Sequence, residues 1–108
     1  MEQNEVIRSL AALAHPVRLE VFRALVAAGD SGLTPATMAG GLEIPANTLS
    51  FHLKELTHAE LVTQERSSRN IIYRAAYAHM NALLGYLTQN CCQGVSCSDP
   101  AAAAACAC

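Results

Sequence analysis

Three cysteines near the end of this 108-residue chain have the spacing of a soft-metal site: Cys91, Cys92 and Cys97. Adjacent cysteines rarely pair with each other, because their Cα atoms lie about 3.8 Å apart, below the usual range for a disulfide. As thiolates they are soft ligands, and Gly94 allows the chain to turn back so that the third sulfur approaches the first two. The pattern therefore predicts a three-thiolate site.

The donor set favours an ion that is satisfied by three sulfur ligands. Trivalent arsenic or antimony accepts three sulfurs and keeps a lone pair in the fourth direction, whereas zinc usually needs a fourth ligand. His79 is poorly placed to supply that ligand, and Cys106 and Cys108 are optional additions to the site. The alternatives are ordinary thiols without a ligand and a thiol redox sensor; we favour the soft ion.

The elements that position this site are organised around segment 34–56, TPATMAGGLEIPANTLSFHLKEL, which predicts two short helices joined by a tight turn. Thr34 is suited to cap the first helix, with Pro35 at its first position. Gly40 and Gly41 are expected to end that helix and to supply the turn. Pro45 then opens the second helix. The arrangement is typical of a helix-turn-helix, whose second helix reads the major groove of DNA. The plain alternative is a helical hairpin on the surface.

The second helix has an apolar stripe at Leu49, Leu53 and Leu56, which we expect to face inward. The opposite face is mostly polar and includes Phe51. His52 lies beside the stripe, so it is either a DNA contact or a helix-packing histidine. The candidate DNA contacts on this helix and on the following hairpin are Asn47, Thr48, Ser50, His52, Lys54, Arg66 and Arg69.

The flanking segments predict two helices before this unit and a β-hairpin after it. The first helix is capped by Asn4, and the second runs from Pro16 to Ala28, ended by Gly29; residues 30–33 form a loop. The strands LVTQER and NIIYRA are separated by Ser67-Ser68-Arg69. A hairpin directly after a recognition helix indicates a winged helix-turn-helix, with Arg66 and Arg69 at the tip of the wing.

A last helix is predicted over residues 76–90 and carries an apolar stripe. Such a helix on so small a domain indicates a partner surface, most simply a two-fold dimer, although it can also pack on its own core. The residues expected at the dimer interface are Val6, Leu10, Tyr77, Met80, Leu84 and Leu87.

Composition limits the remaining possibilities. The net charge is −2, so any DNA-binding surface must be local, and a dimer is needed to collect enough phosphate contacts. No signal peptide or membrane span is visible, and all five cysteines fall in the last eighteen residues, which argues against a disulfide framework. We expect a cytoplasmic protein with one domain over residues 1–92 and a flexible Cys/Ala-rich tail over 93–108. The predicted fold is mainly α (α+β), with about five helices and a β-hairpin wing.

The chain resembles the ArsR/SmtB family of bacterial metalloregulators. The resemblance rests on LAHPVRLEVFRAL at 13–25, PANTLSFHLKEL at 45–56, AELVTQERSSRNIIYRA at 59–75 and the terminal cysteines. It implies a homodimeric winged-helix repressor whose first and last helices form the dimer interface. It also implies that an inducer lowers operator affinity and releases a resistance operon.

The cysteines depart from the pattern of the family's best-known arsenic sensors, which hold a Cys-x-Cys pair at the first helix of the helix-turn-helix. Here that region reads GLTPATMA. The zinc-type site of the last helix is also missing, since Ala78, His79 and Asn81 do not supply it. Other members carry thiols near the C-terminus, and Cys91, Cys92 and Cys97 resemble that variant.

The leading hypothesis is therefore a repressor that binds double-stranded operator DNA and is released by arsenite or antimonite, without a constitutive cofactor. Alternatives on the same fold are a thiol redox repressor and a repressor responding to cadmium, zinc or lead. An alternative of another class is a metal-buffering thiol protein. No arrangement of a nucleophile and base, phosphate loop or carboxylate pair indicates an enzyme.

Overall fold

The computed structural model describes residues 1–91. Within them the chain forms five α-helices and one antiparallel hairpin, with the bounds α1 Gln3–Leu13, α2 Pro16–Ala28, α3 Pro35–Leu42, α4 Ala46–His58, β1 Val62–Ser67, β2 Asn70–Ala75 and α5 Tyr77–Leu87. This order confirms the predicted winged helix-turn-helix, with α3 and α4 as the helical pair and β1–β2 as the wing. The last residue of the predicted domain, Cys92, and the whole predicted tail over 93–108, with Cys97, lie outside the described residues.

The core is built where α2, α3 and α4 meet, and the hairpin closes one side of it. Leu49, Leu53 and Leu56 of α4 are fully or almost fully buried, as their helical spacing predicted. They pack with Val21 and Leu25 of α2, which are also inaccessible to solvent. The apolar side of α4 is therefore fixed against the core, and its other side is left facing outward.

The start of α1 differs from the prediction. The helix begins at Gln3, so Asn4 lies inside it and is not the cap; the residue at the cap position, Glu2, makes no side-chain capping hydrogen bond. The buried side of α1 consists of Val6, Ser9 and Ala12. Small residues at positions 9 and 12 allow close packing of this helix, and Leu10 is left on the surface.

The turn between α3 and α4 also differs in detail. Thr34 accepts a hydrogen bond from the backbone N–H of Thr37 at 3.3 Å and caps α3, as predicted. Gly40 and Gly41, however, lie inside the last turn of α3, and the left-handed residue that ends the helix is Glu43, with φ of 55°. The prediction that the glycines end the helix was wrong, because the backbone reverses two residues later.

The wing is a short hairpin with a two-residue turn. Ser67 pairs with Asn70 and belongs to β1, so the turn is Ser68-Arg69 rather than the three-residue separator that was predicted. At the base of the wing, Leu33 exchanges two backbone hydrogen bonds of 2.9 Å with Tyr73, which fixes β2 to the segment before α3. The segment predicted as a plain loop thus contains a 3-10 turn over Gly29–Ser31 and this bridge.

The last helix is shorter than predicted and is fixed to α1 and α2. It ends at Leu87, three residues before the expected end, and Leu83 is its buried residue. The hydroxyl of Tyr77 donates to the carbonyl oxygen of Val26 at 2.9 Å, and His79 Nε2 is hydrogen-bonded to Ser9 Oγ at 2.9 Å. These two bonds hold α5 against both earlier helices.

Candidate nucleic-acid interface

The outward side of α4 is the surface on which most of the predicted DNA contacts lie. Asn47, Ser50 and Lys54 are exposed and lie on one face, since they are three or four residues apart. Thr48 is exposed next to them, at the N-terminal end of the helix. Oδ1 of Asn47 accepts a hydrogen bond from the N–H of Thr48 at 3.0 Å, and the amide N–H₂ group takes no part in that bond. Four of the five predicted contacts on this helix are thus accessible.

The fifth predicted contact, His52, lies in the packed interior. It is 6% exposed, and its Nδ1 accepts a hydrogen bond from Nε of Arg18 at 3.1 Å. Its ring lies 4.6 Å from the ring of His15, whose own Nδ1 accepts from the N–H of Val17 at the start of α2. The burial of His52 thus agrees with the second of the two readings, a helix-packing histidine, while its contact to DNA stays an untested prediction.

The surroundings of His52 favour its neutral form. Burial lowers the pKa of His52 below the ordinary value of 6.5, and the positive potential of His15 and Arg18 lowers it further, while Glu55 acts in the opposite direction. A neutral imidazole is what the geometry requires, because Nδ1 must carry a lone pair to accept from an arginine. The hydrogen bond from Arg18 to His52 thus joins the N-terminal part of α2 to the middle of α4.

Arg18 is a residue of this interface that the search for DNA contacts did not single out. Besides its bond to His52, its guanidinium lies over the ring of Phe51, 5.7 Å from the ring centroid. The signal available in the sequence was its place in the segment LAHPVRL, but helical periodicity assigns no partner to a single arginine. Arg18 contacts both a buried and an exposed residue of α4.

The wing carries the remaining predicted DNA contacts. Arg66 lies near the end of β1 and Arg69 in the turn, and both are exposed. Arg74, by contrast, is bonded to Glu65 at 2.9 Å and donates through Nε to the carbonyl oxygen of Asp30 at 2.7 Å. The charges of Arg74 and Glu65 therefore cancel each other. The positive charge available along α4 and the wing comes from Lys54, Arg66 and Arg69.

The predicted dimer residues fall into two groups. Val6 is 3% exposed, Tyr77 bonds to α2, and Met80 packs against the core, so these three belong to the chain's own fold. The other group lies on the surfaces of α1 and α5 and is open to solvent: Leu10 is 41%, Leu84 52% and Leu87 54% exposed. Three of the six predicted residues thus leave apolar surface open on α1 and α5, and the place of the set at a dimer interface stays a prediction.

Only the first cysteine of the predicted metal site falls within residues 1–91. Cys91 is half-buried, and its N–H donates to the carbonyl oxygen of Thr88 at 3.0 Å in the turn after α5. Cys92 and Cys97 lie outside the described residues. In the described part of the chain, no three His, Cys, Asp or Glu side chains come together as a metal site. None of the helices over residues 1–91 is long and apolar enough to cross a membrane.

Comparison with known proteins supports the class that the fold defines. A family model described as a helix-turn-helix domain matches residues 13–65. The repressor SmtB of Mycobacterium tuberculosis is 38% identical over 77 residues, which are 71% of this chain and 53% of that protein. The chain thus spans about half the length of the curated relatives it matches.

Solved structures extend the likeness over most of the chain. An ArsR-like transcriptional regulator from Rhodococcus sp. RHA1 is similar with a TM-score of 0.71 and 27% identity, over 80% of this chain and 78% of that one. A homodimeric winged helix-turn-helix DNA-binding domain from Mycobacterium bovis, described as a possible ArsR-family regulator, has a TM-score of 0.64 and 27% identity, over 81% of each chain.

The transcriptional repressor BigR from Xylella fastidiosa is also similar, with a TM-score of 0.62 and 31% identity, over 82% of this chain and 88% of that one. These findings place the chain among winged helix-turn-helix regulators of transcription. More specifically, the chain belongs to the ArsR/SmtB family.

Proposed function

We propose that the protein is a cytoplasmic, homodimeric transcriptional repressor that binds operator DNA and is released by trivalent arsenic or antimony. The observation that carries the DNA-binding part is the exposed polar face of α4, with Asn47, Ser50 and Lys54 on it, beside a wing that ends in Arg66 and Arg69. A helix of this kind fits the major groove, and arginines on a wing fit the phosphate backbone or the minor groove. The repressor SmtB and the ArsR-like regulator support the same reading by their names.

The sparse positive charge argues for a dimer. One protomer offers three unpaired basic side chains along α4 and the wing, and each phosphate contact adds a limited, salt-dependent gain in affinity. Two protomers double that number and present two recognition helices to successive turns of the groove. The exposed Leu10, Leu84 and Leu87 supply apolar surface on α1 and α5 for the pairing. The related Mycobacterium bovis domain is homodimeric.

For the inducer we propose that Cys91, Cys92 and Cys97 bind As(III) or Sb(III) through three thiolates, so that a resistance operon is derepressed. Cys91 lies four residues after the end of α5, in a turn closed by its hydrogen bond to the carbonyl oxygen of Thr88. A ligand that gathers the cysteines there acts on the end of α5, and α5 is bonded to α1 through Ser9 and His79. The ligand then changes operator affinity only insofar as it binds one dimer arrangement better than another.

The test is a titration of the purified, reduced protein on a fluorescent operator duplex. Wild-type protein should bind with strong salt dependence and leave the duplex when arsenite is added, without an oxidant. The double variant Cys91→Ser/Cys92→Ser should bind the duplex equally well and stay bound at the same arsenite concentrations. Release of that double variant at wild-type arsenite doses would refute the proposed cysteine site.

Further arms separate the alternatives. Release by peroxide that a reducing thiol reverses, with no response to arsenite, identifies a redox repressor. Release by cadmium, zinc or lead alone identifies a divalent-metal repressor. Tight metal binding without any salt-dependent duplex binding would refute the repressor and favour the metal-buffering protein.

A further inference from the structure

Phe51 stands apart from the other exposed residues of α4. Its side chain is 54% exposed, although its neighbours on the same face, Asn47, Ser50 and Lys54, are all polar. A single exposed apolar residue is by itself ordinary on a protein surface. Here, however, it lies one turn after Asn47 and one turn before Lys54, in the middle of the face that the proposed function directs into the major groove. Any base edge that this face reaches also comes within reach of the ring.

The ring of Phe51 is oriented by contacts with Arg18 and His52. The guanidinium carbon of Arg18 lies 5.7 Å from its centroid, and the ring of His52 meets it nearly edge-on, 5.3 Å away at 70°. Arg18 is itself fixed by its bond to the buried His52. A side chain oriented by such contacts loses little conformational freedom when it binds a partner, so it can discriminate between closely similar surfaces. The exposed part of the ring is a small, oriented apolar surface among polar groups.

We infer that Phe51 is a specificity-determining residue that contacts the C5-methyl group of a thymine in the major groove. This inference rests on the proposed DNA-binding function. Of the four bases, thymine is the one that presents an apolar group in the major groove, and phenylalanine is among the side chains that contact it there. The polar residues around it position the helix, and Phe51 distinguishes thymine from cytosine at one position of each half-site.

The experiment removes the methyl group without changing any hydrogen-bonding atom of the base. A duplex is selected by the wild-type protein from a randomised library, and each thymidine is then replaced in turn by deoxyuridine. At one position in each half-site, wild-type binding should weaken by about fourfold, the factor that corresponds to the ~0.8 kcal/mol of one buried CH₂ group. The variant Phe51→Ala should bind the thymine duplex more weakly and lose almost nothing further on the deoxyuridine duplex.

Two other variants serve as controls. Phe51→Leu keeps an apolar side chain and should retain most of the sensitivity to the methyl group. Ser50→Ala alters the adjacent residue and should weaken binding to both duplexes by the same factor, so that its methyl sensitivity equals that of wild type. Thermal unfolding of each variant checks that the fold is intact, which is expected because both positions are exposed.

Each failure has its own signature. If wild-type protein binds its selected duplex but no deoxyuridine replacement weakens binding by more than about twofold, or if Phe51→Ala keeps the full methyl effect, the contact to thymine is refuted while the repressor stands. If wild-type protein selects no sequence and shows no salt-dependent duplex binding, the proposed function falls, and this inference falls with it.

Discussion

The Nε–H of Arg18 donates to Nδ1 of His52 over 3.1 Å, and this bond joins α2 to the helix that we propose to lie in the major groove. Because a guanidinium can only donate, Nδ1 is the unprotonated nitrogen and the ring proton lies on Nε2. His15 packs on the same imidazole from the start of α2. The orientation of α4 is thus set by its buried leucines and, beside them, by a partly buried polar contact to α2.

The first prediction is that stability falls in mild acid because of His52. In the unfolded chain a histidine titrates near 6.5, whereas burial and then the charges of His15 and Arg18 lower the pKa of His52 in the fold, against the smaller effect of Glu55. As the pH falls below about 6.5 the unfolded state therefore binds more protons than the folded state, and the free energy of unfolding decreases. The full contribution is present above the unfolded pKa and is lost as the pH falls through the lowered one.

Urea unfolding between neutral and mildly acidic pH measures this effect. His52→Gln keeps a polar side chain of similar length but does not titrate, so its profile should be flatter than that of wild type. Ser50→Ala, at an exposed position of the same helix, neither adds nor removes a titrating group, so its profile should follow that of wild type. A His52→Gln variant with the full wild-type loss in acid would contradict the assignment.

The second prediction concerns the donor of the same bond. Arg18→Met keeps most of the aliphatic side chain but leaves the buried Nδ1 of His52 without a partner, which costs about 1–3 kcal/mol of unfolding free energy. Arg23→Met, on the exposed side of the same helix, should change stability by less than about 0.5 kcal/mol. Chemical denaturation of the two variants measures the difference, and equal effects would show that the bond contributes nothing specific.

The periodicity of the sequence correctly predicted features that depend on residues close together in the chain, such as buried helix faces and helix ends. Leu49, Leu53 and Leu56 are buried because three and four residues make one helical turn, and α2 has its predicted bounds because Pro16 and Gly29 mark both ends. The end of α3 was missed because a residue in the left-handed region, Glu43, occupies a position at which glycine is the usual signal.

Contacts between distant residues could not be predicted in the same way. Arg18 and His52 are 34 residues apart and Ser9 and His79 are 70 apart, and no local pattern assigns either pair. Tyr77 was predicted at a dimer interface because it begins an apolar stripe, yet its hydroxyl bonds to the end of α2. The partner of a polar group depends on tertiary packing. The bonds made by Arg18, Ser9 and Tyr77 could therefore be identified only from the structure.

The third prediction concerns the contact between α1 and α5. Ser9 is fully buried and is hydrogen-bonded to Nε2 of His79 at 2.9 Å. Ser9→Ala removes that bond and should lower the free energy of unfolding by about 1 kcal/mol. If α1 and α5 form the dimer surface, the same change should also weaken self-association, because it loosens the two helices that carry Leu10 and Leu84.

Analytical ultracentrifugation over a range of concentrations measures the association, and denaturation measures the stability. Ser31→Ala, at an exposed position outside both helices, is the control and should leave both unchanged. If Ser9→Ala is less stable but associates as strongly as wild type, the Ser9–His79 bond does not contribute to dimer formation.

The fourth prediction compares two glycines that share a backbone conformation but differ in their surroundings. Gly29 and Gly32 have φ of 71° and 67° with ψ of −151° and −172°, a backbone region that is essentially restricted to glycine, so an alanine at either position is strained by roughly 1–3 kcal/mol. At Gly29 a Cβ atom meets nothing within 4 Å, whereas at Gly32 it would lie 2.6 Å from the carbonyl oxygen of Tyr73 and 2.6 Å from Cγ2 of Ile72. Since a backbone atom of the wing cannot move aside cheaply, Gly32→Ala should cost more than Gly29→Ala.

The same comparison tests how the wing is held. Gly32 precedes Leu33, whose two bonds to Tyr73 fix the base of β2, so Gly32→Ala should also separate the wing from the core and weaken binding to the operator duplex. Gly29→Ala should lower the unfolding midpoint moderately and leave duplex affinity close to wild type once the folded fraction is accounted for. Hydrogen exchange of the Tyr73 amide reports the base of the wing directly, and it should accelerate in Gly32→Ala but not in Gly29→Ala. Equal exchange in the two variants would mean that close packing at Gly32 is not what holds the wing.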